Sequence, residues 1–279
     1  MTELLFPTTV EEAVALLAAH EDARPIAGGA TLVAMRNAGL VESTHLVSLD
    51  RIAGLAGIVR LEDGRIRIGA MTKHAETASC EMLSGSLEVL RKAAGMIANR
   101  VVRNMGTMGG SVANADPAAD YLPALACCDA VLTIAGPGGT REVSILDYVE
   151  DWYETALGEG EIITAFTLPA PYAAASSYRK IARVSGDFAT ASCAMALEAD
   201  GQGVRVAIGA CGPGPIRDPE AEAALCGHLG DPEAVATFAK ALADQADPVD
   251  DVRGSAEYRL QLIPRLISGV LNDISKETV

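Results

Sequence analysis

The segment Asn104-Met-Gly-Thr-Met-Gly-Gly-Ser-Val-Ala-Asn-Ala-Asp-Pro-Ala-Ala-Asp120 constrains this chain most, because it joins backbone freedom, small side chains and polar groups with almost no bulk. Glycine has no Cβ, so Gly106, Gly109 and Gly110 can take positive φ or admit a ligand to van der Waals distance. Their N–H groups can then point at phosphate oxygens. A second segment of the same character, Ala27-Gly28-Gly29-Ala30-Thr31, lies upstream between a strand-like run and a helix-like one. Alone it reads rather as a tight turn between strand and helix. Together the two segments point to two clamps on one extended, phosphate-bearing ligand.

At 279 residues the chain has room for about two domains of ~150 residues. Its hydrophobic content of 49% with only 4% aromatic residues and 27 glycines describes compact packing of Ala, Val, Leu and Ile with many close backbone approaches. The net charge of −15 argues against a nucleic-acid partner, whose phosphates are neutralised by basic side chains. The opening Met1-Thr-Glu-Leu-Leu-Phe-Pro lacks a basic n-region and an apolar h-region, and no run of about eighteen apolar residues occurs anywhere. The expectation is a cytoplasmic protein with no transmembrane segment. Cys80, Cys127, Cys128, Cys193, Cys211 and Cys226 form no C-x-x-C pair and read as buried thiols in a reducing compartment. His20, His45, His74 and His228 are scattered, so no metal site is expected.

Along the chain, Thr8 with Glu11 predicts a capping box, opening a helix whose buried stripe is Val10, Ala13, Val14 and Leu17. Arg24-Pro-Ile-Ala-Gly reads as a strand entering the first glycine segment and Thr31-Leu-Val-Ala-Met-Arg as the helix leaving it. Further strands are expected at Leu46-Val-Ser-Leu and Arg65-Ile-Arg-Ile-Gly. Helical periodicity returns from Leu87 and from Tyr121, and strand patterning fills roughly 130–168, with a Gly136-Pro-Gly-Gly turn. Pro169-Ala-Pro-Tyr-Ala-Ala-Ala-Ser-Ser is a linker. Three strands are expected at about 177–184, 190–198 and 203–210, and helices from about 219. Sheet followed by helices reads as α+β rather than doubly wound.

No G-x-G-x-x-G follows a strand, and neither a P-loop nor a G-x-S-x-G elbow is present. A chain that cradles phosphates without a catalytic constellation points to a cofactor that carries the reaction. Asp120 reads either as an N-cap or as a ligand contact. Cys127-Cys128 reads as packing.

Ala27-Gly-Gly-Ala-Thr and Thr107-Met-Gly-Gly-Ser-Val-Ala-Asn-Ala-Asp-Pro-Ala-Ala-Asp120 resemble the two FAD-binding motifs of the medium subunits of molybdenum hydroxylases. That family includes carbon monoxide dehydrogenase and xanthine dehydrogenase. Tyr178-Arg-Lys-Ile-Ala-Arg-Val-Ser-Gly-Asp-Phe-Ala-Thr-Ala and Asp251-Val-Arg-Gly-Ser-Ala-Glu-Tyr-Arg resemble the family's later R-x-x-x-D-x-A and D-x-R-G-S-A-x-Y-R segments. The four blocks come in the family's order and cover nearly the whole chain.

The resemblance implies an α+β fold: a two-lobed FAD-binding domain of the p-cresol methylhydroxylase type over residues 1–170, divided near 53/54. A C-terminal domain over 176–279 follows, made of a three-stranded antiparallel sheet and a helix bundle. Carried over, the first clamp is Ala27, Gly28, Gly29, Ala30, Thr31 and Leu32. The second is Thr107, Gly109, Gly110, Ser111, Ala113, Asn114 and Asp120, the two holding the cofactor from opposite sides. Ile97 and Ile163 fall where apolar residues flank the cofactor, and Lys180 where a lysine approaches the flavin. Lys180 reads alternatively as a solvated cation on an edge strand. Ser111 replaces a common Asn, and Asp116 and Ala119 stand where Ser is common; Asp116 is expected to point away from the phosphates.

The implied function is electron transfer. FAD would take electrons from iron–sulfur clusters on a small subunit and pass them to an external acceptor. Substrate would be hydroxylated at a molybdenum cofactor on a large subunit, in a dimer of heterotrimers. The alternative is a self-contained FAD-dependent oxidase with its own substrate pocket.

Overall fold

The computed structural model describes residues 2–277; residues 1, 278 and 279, at the outer ends of the expected domains, lie outside them. The small lobe consists of β1 (Glu3–Leu5), α1 (Val10–Ala19), β2 (Ala23–Ile26), α2 (Leu32–Asn37) and β3 (His45–Ser48). Its three strands are parallel in the order β1-β3-β2, so the chain must cross back between them, and α1 and the α2 segment make those crossings. Ala13, Val14 and Leu17 of α1 are buried as expected, and Val10 is half-buried. The cap is shifted by one residue. Thr9 accepts from the Glu12 N–H, and the Glu12 carboxylate accepts from the Thr8 N–H at 2.7 Å. The Thr-Thr and Glu-Glu doublets fit either register, and the helix takes the one in which Glu12 meets both the N–H and the hydroxyl of Thr8.

The larger lobe begins with β4 (Ile58–Arg60), β5 (Ile66–Gly69) and α3 (His74–Ser79), and continues through α4 (Glu88–Met96), α5 (Arg100–Met105), α6 (Met108–Asn114) and α7 (Tyr121–Cys127). It closes with β6 (Val131–Gly136), β7 (Gly139–Ser144), β8 (Val149–Asp151), β9 (Glu154–Thr155) and β10 (Ile162–Leu168). The five-stranded antiparallel sheet runs β4-β5-β10-β6-β7, and β8-β9 is a separate hairpin. Despite its glycines, much of the 104–120 segment is helical: α5 ends at Met105, α6 starts at Met108, and Ala115 ends α6 in the left-handed conformation at φ 45°.

The C-terminal domain has the expected three-stranded antiparallel sheet, β11 (Ser176–Ile181), β12 (Ala191–Leu197) and β13 (Val204–Gly209), followed by α8 (Pro219–Leu225), α9 (Pro232–Asp244) and α10 (Ala256–Glu277). The sheet is covered on both faces, which explains why β12 and β13 are almost continuously apolar instead of alternating. Ala194, Ala196 and Ala207 join the core of the larger lobe, where α4 and α7 lie against the sheet. Cys193, Met195, Val206 and Ile208 face the core shared with α8–α10. The first face is kept flat by small residues. At Gly209 a Cβ would come within 2.8 Å of Pro123 in α7.

Ion pairs fasten this contact. Arg205 donates to Asp129 and to the Tyr172 hydroxyl, both at 2.7 Å. Arg217 donates to Glu222 at 2.9 Å and to the Ala126 carbonyl at 2.9 Å, and also pairs with Asp129. Burial raises the Glu222 pKa above the usual carboxylate range, and the Arg217 hydrogen bonds oppose that rise. Removing one partner of a buried pair leaves the other charge uncompensated. Arg217→Ala is therefore expected to lower stability by about 3–5 kcal/mol. Denaturant unfolding of the purified variant, compared with the parent, measures it.

Candidate functional site

The two glycine segments meet main chain against main chain. A Cβ at Gly28 would overlap the Met105 carbonyl oxygen, so only glycine lets the small lobe seat on the end of α5. Gly29 has φ +72° and turns the chain into α2. From Gly28 to Leu32 the backbone N–H groups find no acceptor among the described residues, and the Thr31 hydroxyl makes no capping bond. Five successive free donors form the kind of concave array that attracts an anion.

The second segment works differently from the expectation. Gly106, Gly109 and Gly110 do not adopt positive φ, and their N–H groups are not free. Gly106 donates to Val102, Gly109 to the Ala70 carbonyl at 2.8 Å, and Gly110 to the Thr107 hydroxyl at 3.1 Å. These glycines serve close approach instead. A Cβ at Gly109 would stand 2.6 Å from Ala70, and one at Gly106 would overlap the His74 ring. With Met108 donating to Thr72, α6 is docked on the turn after β5 through its leading N–H groups. What it offers a ligand is side chains.

Between the segments lies a cavity of about 490 Å³, within the usual size of small-molecule sites. It is lined by Ala27, Gly28, Gly29, Ala30, Thr31 and Leu32 from the first segment. Thr107, Gly109, Gly110, Ser111, Ala113, Asn114 and Asp120 line it from the second, and Ile97 and Ile163 from the apolar flanks. Ile163 sits at a bulge in β10, where the register shifts before Ala165. Asn99 caps α5, and Arg103 donates to the carbonyls of Ile97 at 2.7 Å and Ala98 at 3.1 Å, holding that corner in place. The departing positions Asp116 and Ala119 also reach the lining. One Asp116 oxygen accepts from the Ala118 N–H at 2.9 Å.

Lys180 is not on the lining. It stands behind the wall, its side chain only 5% exposed, pairing with Asp120 at 2.9 Å and donating to the Met96 carbonyl at 3.1 Å. The solvated-cation reading is thus overturned. Tyr178, two residues earlier on the same face of β11, donates to the same Asp120 oxygen at 2.7 Å, and Lys180 also reaches the second oxygen at 3.1 Å. Asp120 makes no N-cap bond, so that alternative also falls. Burial raises its pKa, and the Lys180 charge works against that rise.

Several lining residues were missed from sequence. His74 lies on the wall, 5% exposed, with Nδ1 3.1 Å from the Tyr121 hydroxyl; nothing in the sequence separated it from the other scattered histidines. Gly186, Asp187 and Phe188 bring a C-terminal loop to the rim, and Arg24 precedes the first segment. Arg24 had a signal that passed unused, its place next to Ala27–Thr31.

Residues 1–171 match the family described as FAD binding domain in molybdopterin dehydrogenase, and residues 176–274 that described as CO dehydrogenase flavoprotein C-terminal domain. The carbon monoxide dehydrogenase medium chain of Afipia carboxidovorans is 37% identical over 92% of this chain and 90% of its own length. Subunit alpha of the 6-hydroxypseudooxynicotine dehydrogenase complex of Paenarthrobacter nicotinovorans is 34% identical over 94% and 90%. Among solved structures, carbon monoxide dehydrogenase from Hydrogenophaga pseudoflava superposes with a TM-score of 0.93 at 34% identity, covering 99% of this chain and 97% of that one. Quinoline 2-oxidoreductase from Pseudomonas putida 86 gives 0.91 at 30%, covering 99% and 98%.

Burial first, then the nearby charges of Lys73 and Arg103, lower the His74 pKa to about 4, so the ring is neutral at physiological pH. The unfolded chain takes up this proton near the ordinary value of 6.5, whereas the folded one resists until about 4. The contribution of His74 is therefore complete above pH 6.5 and is lost as pH falls toward 4, by about 3 kcal/mol in all. His74→Gln is expected to flatten that part of the stability–pH profile. Urea melts of both proteins between pH 4 and 7 check it, and an unchanged slope refutes it.

Proposed function

Because this chain belongs to the FAD-binding medium-subunit family of the molybdenum hydroxylases, we propose that the cavity between its glycine segments holds FAD. The chain is the flavoprotein subunit of a molybdenum-dependent oxidoreductase. The bound flavin relays electrons from iron–sulfur clusters on a small subunit to an external acceptor, while substrate is hydroxylated at molybdenum on a large subunit. The chain's own work is to bind, orient and shield that group.

One observation carries the reading: the free N–H groups of Gly28–Leu32 open onto the same cavity as the side chains of Ser111 and Asn114. Consecutive backbone donors suit a pyrophosphate. Small polar side chains across the gap suit a ribityl chain. Ile97 and Ile163 offer apolar surface for a planar ring system. Lys180 acts at one remove, through Asp120, as a positioning residue. The assembly we infer is a dimer of heterotrimers in the cytoplasm.

A self-contained oxidase would need a substrate pocket built over the flavin. Against that stands the C-terminal sheet, which spends both faces on packing; among the described residues the C-terminal domain lends the cavity the Gly186–Phe188 loop alone.

The visible spectrum of the purified full chain is expected to show bound flavin, and the chain is expected to co-purify with a cysteine-rich small subunit and a large one. Absence of flavin under every reconstitution condition removes the reading, and turnover of a small substrate by the chain alone favours the oxidase. Gly110→Val is expected to abolish flavin retention while the fold, read by circular dichroism, survives. A Cβ there lies 2.9 Å from the Thr107 hydroxyl that caps α6 and 3.5 Å from Ala27 across the gap, and two further methyls have no room but the cavity.

A further inference from the structure

Positive charge is scarce in this cavity. Among the described residues that line it, Arg24 is the only arginine or lysine, and the acids Asp116, Asp120, Glu161 and Asp187 are also there. Three of these acids already have cations: Lys180 for Asp120 at 2.9 Å, Arg141 for Glu161 at 2.7 Å and Arg183 for Asp187 at 3.0 Å. Arg24 has none of this. Its side chain makes no hydrogen bond or ion pair with any described residue, although a guanidinium carries five donors. Its strand, β2, ends at Ile26, so Arg24 stands just before the segment whose N–H groups are also free.

We propose that Arg24 is the counter-charge for the FAD pyrophosphate, an inference that rests on the FAD reading above. The phosphates are held from one side only. The leading N–H groups of α6 are committed to Thr72, Ala70 and Thr107, so the larger lobe cannot share the task through them. The run of consecutive free backbone donors, Gly28–Leu32, and the unpaired cation Arg24 both belong to the small lobe. In a chain of net charge −15, a dianion entering this cavity meets a repulsive background that Arg24 offsets locally. Arginine suits the role because its planar fork can donate two parallel hydrogen bonds to phosphate oxygens.

The test uses the full chain stripped of flavin and titrated with FAD, followed by quenching of flavin fluorescence at low and high salt. The parent, Arg24→Gln and Arg24→Lys are compared. Arg24→Gln is expected to bind FAD about tenfold more weakly at low salt, with a visibly flatter salt dependence. Arg24→Lys is expected to keep the salt dependence and lie between the two in affinity. Equal affinity and equal salt dependence in Arg24→Gln and the parent overturn the role of Arg24 but leave the FAD reading standing. A loss of affinity in Arg24→Gln with the salt dependence intact also overturns it, since the residue would then act through packing. A parent chain that binds no FAD removes both.

Discussion

Everything about the cavity depends on main chain touching main chain at two glycines. Gly28 seats the first segment on the carbonyl of Met105, and Gly109 lets α6 press on Ala70 after β5. A side chain at either place would hold the surfaces apart by the thickness of a methyl group or more. The first contact fixes the small lobe relative to the larger one, and the second fixes the helix that forms the opposite wall. The two walls then differ in kind. One presents unspent backbone donors, and the other presents small side chains on a helix whose donors are spent.

A third wall comes from the C-terminal domain, which reaches the cavity mainly by holding something else. Tyr178 and Lys180 grip the two oxygens of Asp120, and Lys180 also holds the Met96 carbonyl just before Ile97. The β11 strand thus anchors both a polar and an apolar part of the lining. This buried arrangement is fully hydrogen-bonded, so it can position Asp120 at fixed distance without leaving a stranded charge.

Much of the architecture was readable because periodicity survives in the long elements. The α+β class, the three-stranded C-terminal sheet, α1, α4 and α7 all follow from apolar spacing. The short elements left no such trace: β1 and β4 have three residues each, and α3 is six residues of mostly polar sequence. At 104–120 the glycines speak against a helix, because glycine is a poor helix former. Docking on Ala70–Thr72 overrides that preference, which no local pattern can announce. The location of the cavity was legible in Ala27–Leu32 and Thr107–Asn114. The division of labour between them was not, since it turns on whether each N–H is already bonded. Lys180 shows the same limit: an exposed-looking lysine proves buried once Asp120 arrives from another part of the chain.

The double covering of the C-terminal sheet changes what counts as a unit of inheritance here. Residues 169–175 divide two stretches of sequence, but the molecule has no seam there, because α4 and α7 are as much the sheet's second layer as α8 and α10 are its first. A C-terminal half grafted from a relative would meet a helical surface shaped for Ala194, Ala196 and Ala207. Any added methyl there would press on α4 and α7. Natural variation on the two sides of the boundary must therefore be matched, and recombination inside the family can exchange this region only if it carries α4 and α7 along with the strands they cover.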